Sequence, residues 1–352
     1  MKFVDSLNNQ DKIKSVQSMI EVIMQSGEYT EGQTVKTLEQ EISEKYFGAK
    51  TLAFSNCGTA LYTVFRYLKL HRLAERVVVQ NNTFRATASM AYQAGLQVVL
   101  CDTNKNSPNM GVDSMIAAVE ATKAEAVCLT HVGGWIAEDY ELIAQYCQSK
   151  DIYLIEDAAH AFGVRASHSF AGRYGSAATF SFYPTKAVPG GEGGALITKD
   201  FVLHQFADMY RNYGKSYNVF GEIVYSEGFN FRMSEFDAAV ALVQVRDVEG
   251  VISRRRKSAE KLLEAGYMCM MDEKEASNFY KYPTPTRLGT KTVGSVYSTT
   301  DQLLFSSQDL KPRTPVSLDN SRLWAQYHMC IPIGEYLYDG MSTKDVLKEL
   351  AK

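Results

Sequence analysis

The stretch Ile152-Tyr153-Leu154-Ile155-Glu156-Asp157-Ala158-Ala159-His160 passes from an apolar run straight into acids and a histidine. Four large apolar or aromatic residues in a row, without alternation, describe a strand buried on both faces. Such strands belong to sheets covered by helices above and below. The same texture recurs upstream. Residues 51–54 read as a strand followed by a helix over 59–70, and 76–79 as a strand followed by a helix near 86–94. Residues 97–100 read as the next strand, and 126–129 as a strand that precedes a helix near 139–149. This alternation predicts an α/β protein with a mostly parallel sheet flanked by helices. Two further strands, near 178–182 and 194–198, are too close in sequence for a helical crossover, so an antiparallel pair is expected there.

After Ser234 the texture changes. Residues 235–264 read as one long helix, or two end to end, closing at Ala265-Gly266. Within it Arg254-Arg255-Arg256-Lys257 is expected to be a solvated face. From Tyr267 onward the chain is richer in Thr, Ser, Pro and Tyr, and a last helix begins near Ser342. The expected organisation is a large unit over 1–248 and a smaller α+β unit over 249–352. A chain of 352 residues has ample length for a large core and a second unit.

Composition narrows the function classes. A formal net charge of -3 gives no reason to expect nucleic acid or an anionic membrane as partner. Residues 1–8 lack an apolar signal-like run, and no apolar stretch approaches the roughly 20 residues of a membrane span. The six cysteines, at Cys57, Cys101, Cys128, Cys147, Cys269 and Cys330, show no CxxC and no metal-ligand spacing. Most lie in apolar runs, as small buried hydrophobes do in a reducing compartment. A cytoplasmic, small-molecule role without a metal is the expectation.

Four features fall at strand ends, where an open α/β sheet gathers its ligands. Ser55-Asn56-Cys57-Gly58-Thr59-Ala60 turns from a strand into a helix, and its N–H groups with the Thr59 hydroxyl suit a phosphate; a simple capped turn accounts for it equally well. Phe84, in Asn82-Thr83-Phe84, reads by itself as core. Asp157 closes a buried strand and needs a cationic partner or a helix-capping role; His160 by itself reads equally as a core histidine. Ser181 and Lys186, in Phe180-Ser181-Phe182-Tyr183-Pro184-Thr185-Lys186, precede Gly190-Gly191-Glu192-Gly193-Gly194. A lysine and a buried aspartate at neighbouring strand ends suit pyridoxal 5'-phosphate. That cofactor needs an amine to hold its aldehyde and a carboxylate to keep its ring nitrogen protonated. Desolvation beside a cationic ring favours the neutral, nucleophilic amine.

Together with Gly228-Phe229-Asn230-Phe231-Arg232-Met233-Ser234-Glu235, these motifs make the chain resemble the DegT/DnrJ/StrS family of fold-type I, pyridoxal phosphate-dependent sugar aminotransferases. The resemblance runs from about Gly32 to Gln244, with a looser echo at Cys330-Ile331-Pro332-Ile333-Gly334. It implies a seven-stranded sheet in the large unit. It also implies Lys186 as the Schiff-base lysine, Asp157 as partner of the pyridine nitrogen, Phe84 stacked on the ring and His160 beside the phenolic oxygen. Gly58, Thr59 and Ser181 take the place of phosphate contacts. Asn230 takes the place of an asparagine that reaches the neighbouring subunit's site, which implies a homodimer; Arg232 is a further anion-binding candidate. The implied substrates are an amino acid, L-glutamate in the family, and a keto sugar, with a nucleotide-linked keto-deoxysugar first in line for amino-sugar biosynthesis. Alternatives are a keto-cyclitol or keto-octulosonate acceptor, a sugar 3-dehydratase, which in this family replaces the lysine with histidine, or a non-catalytic regulatory protein on the same fold. Tyr183 stands where such families often have histidine. Val132-Gly133-Gly134-Trp135 and residues 272–323 match no acceptor-binding pattern.

Overall fold

Alternate residues of each central strand face opposite sides, and both sides are apolar. Val77 and Val79 enter one hydrophobic cluster while Val78 enters another, and the same split separates Ala126 and Cys128 from Val127 and Leu129. The computed structural model describes residues 9–46, 48–166, 169–271, 276–286, 289–297, 299–302 and 311–351. The short N-terminal stretch 1–8 and, within 272–323, residues 272–275, 287–288, 298 and 303–310 lie outside them.

Strands β1 (Lys50–Phe54), β2 (Arg76–Gln80), β3 (Gln97–Cys101), β4 (Ala126–Thr130), β5 (Tyr153–Asp157), β6 (Ala177–Ser181) and β7 (Gly194–Thr198) form a seven-stranded sheet in the order β1-β7-β6-β5-β4-β2-β3. Strands β2 to β6 run parallel to one another, whereas β7 runs antiparallel to both β6 and β1. The mostly parallel sheet and its antiparallel pair therefore match the expectation. Helices α1 (Gln10–Ser26) and α2 (Gln33–Lys45) precede the sheet. Helices α3 (Cys57–His71), α4 (Arg85–Gln93), α5 (Val112–Thr122) and α6 (Tyr140–Ser149) connect its strands, and α7 (Phe201–Tyr210) follows β7. A hairpin of β8 (Lys215–Tyr217) and β9 (Ile223–Tyr225) then projects from the body. Neither this hairpin nor α1, α2, α5 or α7 stood out in the sequence.

Strand β5 extends two residues past the apolar run, to Asp157, because tertiary partners satisfy both acids. The stretch 235–264 is two helices, α8 (Glu235–Arg246) and α9 (Val248–Glu264), broken at Asp247. The Asp247 carboxylate pairs with Lys12 at 2.7 Å and with Arg254 at 2.6 Å. The expectation of a solvated basic face on α9 is thereby corrected. Arg254 also pairs with buried Glu335 at 2.8 Å, and Arg255 donates to the Lys186 carbonyl at 3.2 Å, because α9 lies against the loop after β6.

A third apolar cluster joins α9 to β10 (Tyr282–Pro285), α10 (Asp319–Tyr327), β11 (His328–Ile331) and α11 (Thr343–Leu350). Strands β10 and β11 pair antiparallel. Helix α11 starts at the expected place, with Ser342 and Asp345 capping each other's backbone N–H groups. Among the described residues no helix is long and apolar enough to cross a membrane, and no group of His, Cys, Asp and Glu is arranged to hold a metal.

Candidate active site

Period-two geometry separates the two acids of β5. Glu156 points to one side of the sheet, where His131 Nε2 at 3.0 Å and the backbone N–H groups of Gly172, Tyr174 and Gly175 surround its carboxylate. It is consumed by structure. Asp157 points to the other side, into a cavity of about 470 Å³ at the C-terminal end of the sheet. Thr87 donates to its Oδ2 at 2.6 Å and the Ala159 N–H to its Oδ1 at 3.2 Å. Since the Thr87 hydrogen is committed to the carboxylate, its oxygen accepts from Thr83 at 2.9 Å, and Thr83 in turn accepts from Thr130 at 3.0 Å. This relay of hydroxyls polarises toward Asp157. Burial raises the carboxyl above its ordinary value, while Thr87, the Ala159 N–H and the Lys186 charge work to lower it.

Lys186 follows β6 in a turn in which its N–H donates to the Tyr183 carbonyl at 2.9 Å. Strand β6 lies beside β5, so Lys186, Ser181 and Asp157 line the same cavity. The glycine run after Lys186 also has a steric reason. At Gly194 a Cβ would sit 2.5 Å from the Cys57 nitrogen, so the return of β7 leaves no room for a side chain beside the start of α3.

At that start, Asn56 accepts the Thr59 N–H at 2.9 Å, so the capped-turn reading of this motif holds. The Thr59 hydroxyl is engaged with the Asn56 carbonyl at 2.8 Å and with Ser55 at 3.2 Å. Gly58 lines the cavity with Asn56 and Cys57. Thr59 is not part of its wall. Phe84 lines it from the N-terminus of α4 and is 51% exposed, so it is not a core residue.

His160 is buried and its tautomer follows from its partners. Nδ1 accepts the Gly133 N–H at 3.0 Å, leaving the Nε2 hydrogen to face the Tyr297 hydroxyl. Burial, then the charges of Lys186 and Lys281, holds the imidazole well below its ordinary value, so it is neutral. Two tyrosines flank it, Tyr280 with ring centroids 4.2 Å apart and Tyr297, stacked, at 5.1 Å. Tyr297 also lies 5.7 Å from Phe84, and so bridges the two residues that the resemblance placed about an aromatic ring. Burial drives the Tyr280 hydroxyl upward, but Lys186, Lys281 and the bond to Thr185 bring it below its ordinary value.

Asn230 is exposed and does not line this cavity. Arg232 does not line it either. It hydrogen-bonds Asn212 and lies 3.7 Å from Glu31. Sequence reasoning missed Thr87, Tyr280 and Tyr297. A threonine one turn into a helix that starts at a strand end was the one local signal for Thr87; nothing local marked the tyrosines.

Residues 10–293 match the DegT/DnrJ/EryC1/StrS aminotransferase family. The chain is 25% identical over 233 residues to GDP-perosamine synthase of Escherichia coli O157:H7, covering 66% of this chain and 62% of that one. It is 29% identical over 245 residues to a pleiotropic regulatory protein of Geobacillus stearothermophilus, covering 69% and 64%. It thus spans less than two thirds of the length of these curated relatives. The solved structure of E. coli GDP-4-keto-6-deoxy-D-mannose-3-dehydratase with bound hydrated PLP superposes with a TM-score of 0.85 over 99% of this chain and 98% of that one, at 20% identity. At that identity the likeness establishes a shared fold.

Proposed function

The chain belongs to the DegT/DnrJ/EryC1/StrS aminotransferase family, and from that premise we propose that it moves an amino group from an amino acid, L-glutamate first, to a keto sugar, with pyridoxal phosphate as cofactor. The acceptor we favour is a nucleotide-linked keto-deoxysugar, and the place of the reaction is the cytoplasm. The observation that carries the reading is one cavity lined by both the Lys186 amine and the Asp157 carboxylate, brought there by adjacent parallel strands.

The residues present suit the cofactor. Asp157 is buried, and its contacts with Thr87 and the Ala159 N–H leave it a carboxylate that a ring N–H cation would complete. The start of α3 with Gly58, together with Ser181, offers N–H and hydroxyl groups to a phosphate. Phe84 offers an aromatic face. When bound, the cofactor supplies an electron sink for the donor's α-carbon.

The chain's own residues do the rest. Lys186 Nζ would hold the cofactor's aldehyde and, when free, its neutral amine would take the proton from the donor's α-carbon as base and give it back as acid. Asp157, steadied by the Thr87 relay, would keep the ring nitrogen protonated. His160, neutral and fixed by the Gly133 N–H, would present its Nε2 hydrogen to the phenolic oxygen in place of the Tyr297 hydroxyl that holds it here. Asn230 serves the site of a second copy. In support, its segment adjoins the hairpin whose Val219 and Phe220 are 93% and 84% exposed, as an interface between copies requires.

Lys186→Ala tests the reading. The variant should lose glutamate-dependent amino transfer and the absorbance of lysine-bound cofactor, and near-normal turnover would refute it. A regulatory protein on the same fold predicts instead a wild-type protein without cofactor absorbance.

A further inference from the structure

Two pieces of sequence have, apart from the Gly133 N–H, no part in that reading: Val132-Gly133-Gly134-Trp135, and Ser277-Asn278-Phe279-Tyr280-Lys281 some 140 residues downstream. They meet at the cavity wall. Gly133 and Gly134 take left-handed backbone conformations, with φ of 69° and 92°. A Cβ on Gly134 would lie 2.1 Å from Asn278 Oδ1, so only glycine lets the second piece dock. The Asn278 and Lys281 N–H groups then donate to the Gly134 and Gly133 carbonyls, each at 3.1 Å. Asn278 Nδ2 donates to the His160 carbonyl at 2.7 Å and to that of Phe162 at 3.2 Å, while its Oδ1 accepts the Tyr280 N–H at 3.0 Å. Trp135 packs edge-on against Phe279 with centroids 5.4 Å apart.

This docking aims one side chain. The Tyr280 ring centroid lies 4.4 Å from Lys186 Nζ, and its hydroxyl bonds Thr185, the residue before Lys186, at 3.1 Å. The His160 ring, neutral and fixed, has its centroid 4.2 Å from that of Tyr280. Lys281 Nζ lies 5.2 Å from the same ring.

We propose that Tyr280 is a catalytic residue of this site: its ring face receives the Lys186 ammonium that forms once the free amine has taken the donor's α-proton, and so keeps that proton for return to substrate. The proposal rests on the assignment of Lys186 above. Any ammonium withdrawn from water without a partner gives up its proton more readily, and the abstracted proton would then be lost to solvent. An aromatic face opposes that loss without forming the tight ion pair that a carboxylate would, so the amine remains able to move.

The test uses the full chain stripped of cofactor, in wild-type, Tyr280→Phe and Tyr280→Leu forms. Acetylation of Lys186 by acetic anhydride is followed against pH by peptide mass spectrometry. The Y280L midpoint should fall about one pH unit below that of Y280F, which keeps the ring face and gives up only the hydroxyl beside Lys186. Loss of packing alone admits water and leaves the midpoint unchanged or moves it up, and either result overturns the seat. Absorbance titration with pyridoxal phosphate separates the two levels of the argument. Uptake by all three forms with a common midpoint sinks the role of Tyr280 alone, whereas no uptake by wild type removes the assignment of Lys186 and the seat with it.

Discussion

At the scale of single residues, the site is a set of polar groups whose hydrogens are already committed. Thr87 is the clearest case, because its one hydrogen goes to Asp157. Thr87→Val should leave a buried carboxylate oxygen short of a donor, at a cost of about 1–3 kcal/mol. Urea unfolding of the cofactor-free protein should show that loss, Thr87→Ser should recover most of it, and cofactor retention should follow the same order. Equal midpoints for the valine and serine forms would remove the relay from the account.

His160 gives a pH signature. Its folded value lies well below the ordinary 6.5 of the unfolded chain, with burial the leading cause. Its contribution to stability is therefore full above pH 6.5 and is lost as pH falls toward the folded value. Unfolding at pH 7.5 and at pH 5 should show a smaller acid penalty for His160→Gln than for wild type. An unchanged penalty would mean that another group, such as His328, which burial also holds below its ordinary value, carries it. Asp157, His160 and Lys186 were all legible in sequence, since each sits within a few residues of a strand end that hydrophobic patterning locates. Which of Glu156 and Asp157 faces the cavity was decided by strand pleating and by the loop at 172–175.

At the scale of elements, patterning found the strands better than the helices. Continuous apolar runs of three or four residues are conspicuous, but α5 and α7 carry apolar residues over much of their circumference and so show little contrast. The docking of residues 276–281 onto Gly133 and Gly134 lies beyond any such pattern. Gly134→Ala should be costly on two counts, left-handed backbone and a Cβ 2.1 Å from Asn278. Gly27, with φ of 73° and nothing within 4 Å of a Cβ, isolates the backbone count alone. Thermal unfolding should show about 1–2 kcal/mol lost for Gly27→Ala and clearly more for Gly134→Ala. Similar losses at the two sites would mean that residues 276–281 yield easily and hold Tyr280 loosely.

At the scale of the whole molecule, the described residues leave an apolar hairpin in solvent beside Asn230. Val219→Glu combined with Phe220→Glu should convert a dimer to monomers in sedimentation velocity while helix content stays constant. If Asn230 completes a partner's site, the monomers should also hold cofactor more weakly. A wild-type protein that sediments as a monomer, yet is fully loaded, would discard the shared site.

By itself the sequence determined the alternation of strands and helices, the antiparallel pair, and the acid and lysine at neighbouring strand ends. These depend on periodicity and on contacts a few residues long. Tertiary structure alone decided that Thr87 reaches Asp157 across 70 positions and that Tyr297 reaches His160 across 137. It alone decided, too, that two glycines open a berth for Tyr280. Such meetings leave no local trace, because the free energy that holds a loop against a distant loop comes from the packed sheet between them.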